Sequence, residues 1–303
     1  MIVREWEIGV LQVFTDLQTG AGNAAAYILT FLGNELFYFL MIPLVYWCLS
    51  KAFGIRLVYV FLLSVYVKSL LKAMFAVQRP VGIEGVNSLY VSSAEVGSHY
   101  PYDSFPSGHA QGSATLWGMT AIWLKSRAFW TFAAALVLMI SMSRLYTGLH
   151  WPTDIITGMA VAATILLIYV KTEKWIVGWS IKRKWIAVIV LPLILIGIFP
   201  ESEGMKYSGF LLGAGIGYLL EAKHIRMKIP SSWVKKAVAL FVGLAGLFLL
   251  QEGGKIVLGT SLGADALRYG LIGLWGLLGA PYLFVKLRLY ETSRNTNENE
   301  KAA

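Results

Sequence analysis

The sequence predicts an all-α fold: a polytopic membrane bundle of about nine transmembrane helices behind an N-terminal interfacial helix. Three observations carry this expectation: the composition, the length of the apolar runs, and the alternation of basic residues between them. Of 303 residues, 57% are hydrophobic and only 14% charged, with a mean hydropathy of +0.63. That is too apolar for a domain with a solvated surface. The formal charge of +9 raises nucleic acid as a partner. The basic residues, however, come in short clusters between apolar runs and not along one face, so lipid headgroups are the expected partner and nucleic acid is not.

The elements follow in order. Ile8, Leu11, Phe14 and Leu17 recur at helical spacing among Glu7, Gln12, Asp16 and Gln18, which predicts an amphipathic helix lying in the interface within residues 1–23. Met1 to Glu5 leads into no long apolar run with a small-residue cleavage site, so no removable signal peptide is expected. Runs of span length, about 17 to 25 residues for some 30 Å of hydrocarbon, fall at 24–49, 55–75, 109–124, 128–146, 152–170, 185–199, 207–220, 237–250 and 268–285. A core holding most of the unusual polar residues would occupy 24–170, glycine-rich accessory helices 171–290, and a polar disordered tail 291–303. Gly209, Gly213 and Gly217, and then Gly270, Gly273, Gly276 and Gly279, are spaced for close helix approach. Packing within the chain is the expected use, with a homodimer face as the alternative.

Lys and Arg set the orientation. They collect at Lys51/Arg56, Lys125/Arg127, Lys171–Lys184, Lys223–Lys236 and Lys286/Arg288, while Glu84, Glu95, Asp103, Glu201, Glu203, Glu252 and Asp265 mark the opposite connections. The expected topology has the N-terminus outside and the C-terminus in the cytoplasm, which requires an odd number of spans. Cys48 is the only cysteine, so neither an internal disulfide nor a cysteine-rich metal site can form.

Unusual polar residues concentrate in three segments on the outward side. In the first, Lys72 and Arg79 are seven apart, so they share a face if the helix persists until Pro80 ends it. Lys68 lies one turn earlier, and a cation at that depth marks a functional candidate whose position the sequence does not settle. In the second, Pro106 and Ser107 suit a helix start whose free amides attract an anion, Gly108 lets an oxygen approach the backbone, and His109 can donate a proton to it. In the third, Ser143-Arg144 precedes His150, Pro152 and Asp154. The carboxylate, four residues on, can orient the ring and support its charge while the other nitrogen attacks phosphorus. Each segment alone has a plainer account: Lys72, Arg79 or Arg144 can snorkel, Ser107 can cap a helix, and Asp154 can complement a helix dipole. Their coincidence on one membrane face is harder to explain structurally.

The pattern Lys-x6-Arg-Pro, Pro-Ser-Gly-His and Ser-Arg-x5-His-x3-Asp resembles the three motifs of the type 2 phosphatidic acid phosphatase superfamily, over about residues 24–170, with every position intact. Residues 32–38 and 43–47 look like the first span of sphingosine-1-phosphate phosphatases, and the span count resembles glucose-6-phosphatase more than the six-span bacterial members. The resemblance implies that Lys72, Arg79 and Arg144 hold phosphate oxygens, with Ser107 and Gly108 adding hydrogen bonds. It implies that His150, oriented by Asp154, forms a phosphohistidine, and that His109 protonates the leaving oxygen. No metal and no cofactor is expected, since three fixed cations supply the charge and the sequence offers no carboxylate or histidine cluster for one. The expected function is phosphate removal from a lipid phosphate or diphosphate at the extracytoplasmic face. The alternatives are a soluble sugar phosphate as substrate, a lipid or ion transporter, and a vanadium haloperoxidase, which shares the constellation but is a soluble enzyme.

Overall fold

The computed structural model describes residues 5–89 and 102–293. In chain order the helices are α1 (Glu5–Asp16), α2 (Gly20–Leu32), α3 (Glu35–Leu44), α4 (Lys51–Phe75), α5 (Gly108–Leu124), α6 (Arg127–Tyr146), α7 (Pro152–Val177), α8 (Ile181–Ile198), α9 (Ser202–Leu220), α10 (Trp233–Leu258), α11 (Leu262–Leu274) and α12 (Ala280–Lys286). Side-chain caps start several of them: Thr19 Oγ1 accepts from Gly22 N at 3.1 Å for α2, and Ser126 Oγ from Phe129 N at 3.3 Å for α6. Two-residue strands at Met227–Lys228 and Glu291–Thr292 pair antiparallel. The expected disordered tail therefore begins in a short ladder, and 294–303 lie outside the described residues.

Among the described residues, α4, α6, α7, α10 and the stretch Leu262–Lys286 are long and apolar enough to cross a membrane. A sixth span arises if α2 and the run Glu35–Leu49, bent by 50° at Gly33–Asn34, cross together. The chain is a multi-pass helical membrane protein, and length and hydropathy alone do not reach nine spans. The shortfall has a local cause in each case. Helix α5 has 17 residues and opens on Gly108, His109, Gln111 and Ser113. Helix α8 has 18 residues and starts with Lys182, Arg183 and Lys184, while α9, with 19, carries Glu203 and Lys206.

Two compact units make up the chain, Met1–Phe39 with Leu63–Glu173 and Leu40–Leu62 with Lys174–Ala303. In the first, buried polar side chains satisfy one another between α4 and α5, as hydrocarbon requires. Gln111 Nε2 donates to Ser64 O at 2.7 Å, and the Ser64 and Thr115 hydroxyls lie 2.9 Å apart. Helix α1 belongs to this unit and buries Glu7, Leu11 and Thr15, so part of the row expected to face the interface packs inside the unit, with Ile8 beside Leu11. Leu11 clusters with Val86 and Trp151, whereas Trp6, Val13 and Leu17 are exposed. In the second unit the glycines are used between α9 and α11. A Cβ at Gly209 or Gly213 would collide with the carbonyls of Ala266 or Gly270, so the backbones meet directly. Packing within the chain is thus what these glycines serve, apart from Gly276, which has open space beside it. Trp47 Nε1 donates to Gly276 O at 2.8 Å, and the buried Glu221 accepts from Lys51 at 2.5 Å.

Candidate active site

All three polar segments converge within the first unit. Lys72 sits in the last turn of α4, which stops at Phe75, where Ala76 adopts a left-handed φ of 44°. The helix therefore does not persist to Pro80, and Arg79 does not share a helical face with Lys72. The two cations meet instead through Asp103. Lys72 Nζ donates to the Asp103 carbonyl, and Arg79 grips the Asp103 carboxylate with Nε at 2.7 Å and Nη2 at 3.1 Å. A bidentate pair fixes the plane of the guanidinium. Its remaining nitrogen, Nη1, donates to Leu149 O at 3.2 Å and lies 3.3 Å from His150 Nε2.

The third segment turns at Gly148, whose φ of 63° is left-handed and suits a residue without Cβ. His150 precedes α7, so it does not share a helical turn with Asp154 as expected. The bond forms across the helix start: Asp154 Oδ2 lies 3.3 Å from His150 Nδ1 while accepting from Trp151 N at 2.9 Å and Ser104 Oγ at 2.5 Å. An arginine only donates, so the neutral His150 ring keeps its lone pair on Nε2 and its proton on Nδ1, facing the carboxylate. His150 is 1% exposed. Burial above all, and then the nearby Arg79, Arg144 and Lys72, hold its pKa well below the ordinary imidazole value. The ring is neutral at physiological pH.

The second segment, with a cis Phe105–Pro106 bond, sets Ser107 at the N-cap position of α5. Its hydroxyl does not cap the helix; among the described residues Ser107 Oγ is buried without a hydrogen-bond partner, as are His109 Nε2 and Arg144 Nε and Nη2. Arg144, fully buried, spends Nη1 on Thr30 Oγ1 at 3.0 Å. Ser107 N donates to Asp154 O at 3.0 Å, which ties the α5 start to the His150 segment. A Cβ on Gly158 would lie 2.7 Å from Ser107 O, so this glycine lets α7 pass against the turn. Lys68 pairs with Glu35 at 2.9 Å, and its stem lies 3.2 Å from where a Gly108 Cβ would stand.

Among the described residues, four buried side-chain atoms on Ser107, His109 and Arg144 are left without a hydrogen-bond partner beside the His150 ring, and each carries a desolvation cost that a bound polar group would offset. Lys72, Arg79, Ser107, Gly108, His109, Arg144, His150 and Asp154 are thus brought together. Asp103, Ser104 and Thr30 also take part and were not singled out from the sequence. Asp103 and Ser104 stand in irregular backbone just before Pro106, where no period reveals which way a side chain points. Thr30 is one hydroxyl in an apolar span, with no sequence signal.

The fold and this cluster define a multi-pass helical membrane protein with a buried cationic and histidine-bearing centre. Residues 53–178 match the PAP2 superfamily, and residues 205–293 match the transmembrane extension of PAP2 superfamily phosphatases. The chain belongs to the PAP2 superfamily. It is 30% identical over 202 residues to mouse (Mus musculus) sphingosine-1-phosphate phosphatase 1, covering 62% of this chain and 45% of the relative. It is 30% identical over 129 residues to the undecaprenyl-diphosphatase of Sulfolobus acidocaldarius, covering 41% and 57%. It is also 27% identical over 110 residues to glucose-6-phosphatase catalytic subunit 1 of Haplochromis xenognathus, covering 31% and 39%. The chain spans about half the length of the curated relatives it matches.

Proposed function

We propose that this chain is a phosphatase that removes phosphate from a lipid phosphate or lipid diphosphate at the extracytoplasmic face through a phosphohistidine, without a catalytic metal. The observation that carries the proposal is the set of buried atoms on Ser107, His109 and Arg144 without partners among the described residues, next to the unprotonated Nε2 of His150, which faces Arg79. Lys72, Arg79 and Arg144 hold the phosphate oxygens, and the Ser107 hydroxyl with the Gly108 end of α5 adds hydrogen bonds that strengthen as negative charge builds. His150 Nε2 attacks phosphorus while the bond to the leaving oxygen breaks, and Asp154 supports the positive charge that the ring acquires. His109 gives its proton to the leaving oxygen. Water, losing a proton to His109, then attacks the phosphohistidine; the P–N bond breaks, and inorganic phosphate and neutral His150 are restored.

The lipid substrate class is supported by the printed activities of the sphingosine-1-phosphate phosphatase and undecaprenyl-diphosphatase relatives and by the membrane-spanning architecture. The topology we propose has nine crossings, with α2–α3 as one and α11–α12 as one, the N-terminus outside and α1 in the interface through exposed Trp6, Val13 and Leu17. The glucose-6-phosphatase match favours a second reading, a soluble sugar phosphate as substrate. One experiment tests both: inorganic phosphate released by the purified protein from detergent-dispersed lipid phosphates, each in competition with glucose 6-phosphate, in EDTA. Lipid turnover resistant to the sugar and to chelation is expected. Loss of activity in EDTA, restored by magnesium, refutes the cationic mechanism, and preference for the sugar ester moves the substrate class.

A further inference from the structure

Helix α1 lies outside both family matches, the first of which begins at residue 53, and its buried face is not used by the chemistry described above. It grips the backbone on both sides of the site. Gln12 Nε2 donates to Glu84 O at 3.4 Å, and Gln18 Nε2, just beyond the helix, donates to Asn87 O at 2.8 Å and Tyr146 O at 2.7 Å. Leu11 is fully buried against Val86 and Trp151. From α1, Glu7, a residue 3% exposed, reaches the residue next to Asp154. Its Oε1 accepts from Thr153 N at 3.1 Å and from Thr153 Oγ1 at 2.7 Å.

A new helix leaves its first amides without intrahelical acceptors. In α7 these positions are Pro152, which has no N–H, Thr153 and Asp154, and the Asp154 side chain turns back to Trp151 N and His150. Asp154 therefore cannot serve the Thr153 amide. That amide is answered by a carboxylate 146 residues away in sequence, which also complements the positive end of the helix. Burying a carboxylate is costly unless it is well bonded, so Glu7 and Thr153 hold each other in one place.

We propose that Glu7 is a positioning residue: by fixing Thr153 it fixes the adjoining Asp154, and through Asp154 the line of attack of His150. Sub-ångström placement of a nucleophile governs the rate of the chemical step and leaves substrate affinity largely alone. The proposal rests on the phosphatase reading above. Its test compares full-length wild type, Glu7→Leu, Glu7→Gln, Thr153→Val and Thr153→Ser in detergent micelles, by kcat and KM on a lipid phosphate and by trapped phosphoenzyme. Glu7→Leu is expected to lose about tenfold or more in kcat, with KM within about twofold, and to form phosphoenzyme more slowly. Glu7→Gln keeps an oxygen that can accept from Thr153 and should stay within about threefold of wild type in kcat.

Wild-type kcat in Glu7→Leu, or a rise in KM with kcat unchanged, overturns the proposal; the latter would put α1 at substrate entry. If Glu7→Leu does not accumulate folded, the threonine pair decides. Thr153→Val, which loses Oγ1, should fall several-fold in kcat while Thr153→Ser does not, and equal rates for the two overturn the proposal. A wild type that releases no phosphate from any lipid phosphate overturns the phosphatase reading and this proposal together. An active wild type with an equally active Glu7→Leu overturns this proposal alone.

Discussion

His109→Ala separates proton donation from mere phosphate binding, because the two depend differently on the leaving group. Among the described residues His109 Nε2 is buried without a hydrogen-bond partner, so it is available to a leaving oxygen. General acid catalysis contributes about 10²–10⁴-fold, or about 3–5 kcal/mol of barrier. An alkyl phosphate leaves as an alkoxide, a strong base that needs the proton, and should show the whole loss. A nitrophenyl phosphate leaves as a stabilised phenolate and should lose far less. The ring also fills space beside Gly33, where a Cβ would stand 2.8 Å from His109 Cδ2. Some stability is therefore lost with it, and membrane insertion and folding must be checked before rates are compared. The assay is hydrolysis of one lipid phosphate and one nitrophenyl phosphate by wild type and variant, as kcat and kcat/KM. Equal losses on the two substrates would refute the acid assignment and leave His109 as a binding residue.

Three other outcomes follow from the same geometry. His150→Ala should abolish turnover and phosphoenzyme on every substrate, while Asp154→Asn, which keeps the ring but not its oriented charge support, should lose up to about 10⁴-fold; an active His150→Ala would remove the covalent mechanism. His150 is held neutral by burial and by three nearby cations, and only the neutral ring attacks. Activity should therefore be present above the depressed pKa and lost as pH falls through it. The acid limb of kcat/KM, corrected for the ionisation of the substrate, is expected below the ordinary imidazole value of about 6.5, and a limb at or above that value counts against it. Cysteines placed singly at 81–89 in a Cys48→Ala background should react with impermeant reagents from outside intact cells, and cysteines between Lys171 and Lys184 should not; the reverse pattern overturns the orientation.

The sequence made the composition of the site readable because its residues come in short contiguous strings with fixed chemistry. Three such strings supply eight of the residues that the fold brings together, and apolar runs of span length gave the membrane class without any tertiary information. Glycine spacing likewise announced close helix contact. What the strings could not give is how irregular backbone routes a side chain. The residues from Ala76 to Arg79 look helical by continuation, yet the helix ends at Phe75, and Arg79 arrives from an irregular segment opened by the left-handed Ala76 to clasp Asp103. Spacing likewise put His150 and Asp154 on one helical turn, whereas their bond spans the start of α7, because the carboxylate folds back to cap it.

What the sequence by itself determined, then, is local: which residues are too polar for the hydrocarbon around them, and which periods pack as helices. Solvation and covalent spacing set both, and each can be judged within a few residues. Only the tertiary structure decided that Glu7 reaches Thr153, that Thr30 takes one arm of Arg144, and that Ser107, His109 and Arg144 keep buried atoms without partners. These pairings join residues more than a hundred positions apart in the first two cases, and no local rule orders them. They exist because helix ends far apart in the chain are packed against one another, and local spacing carries no record of that packing.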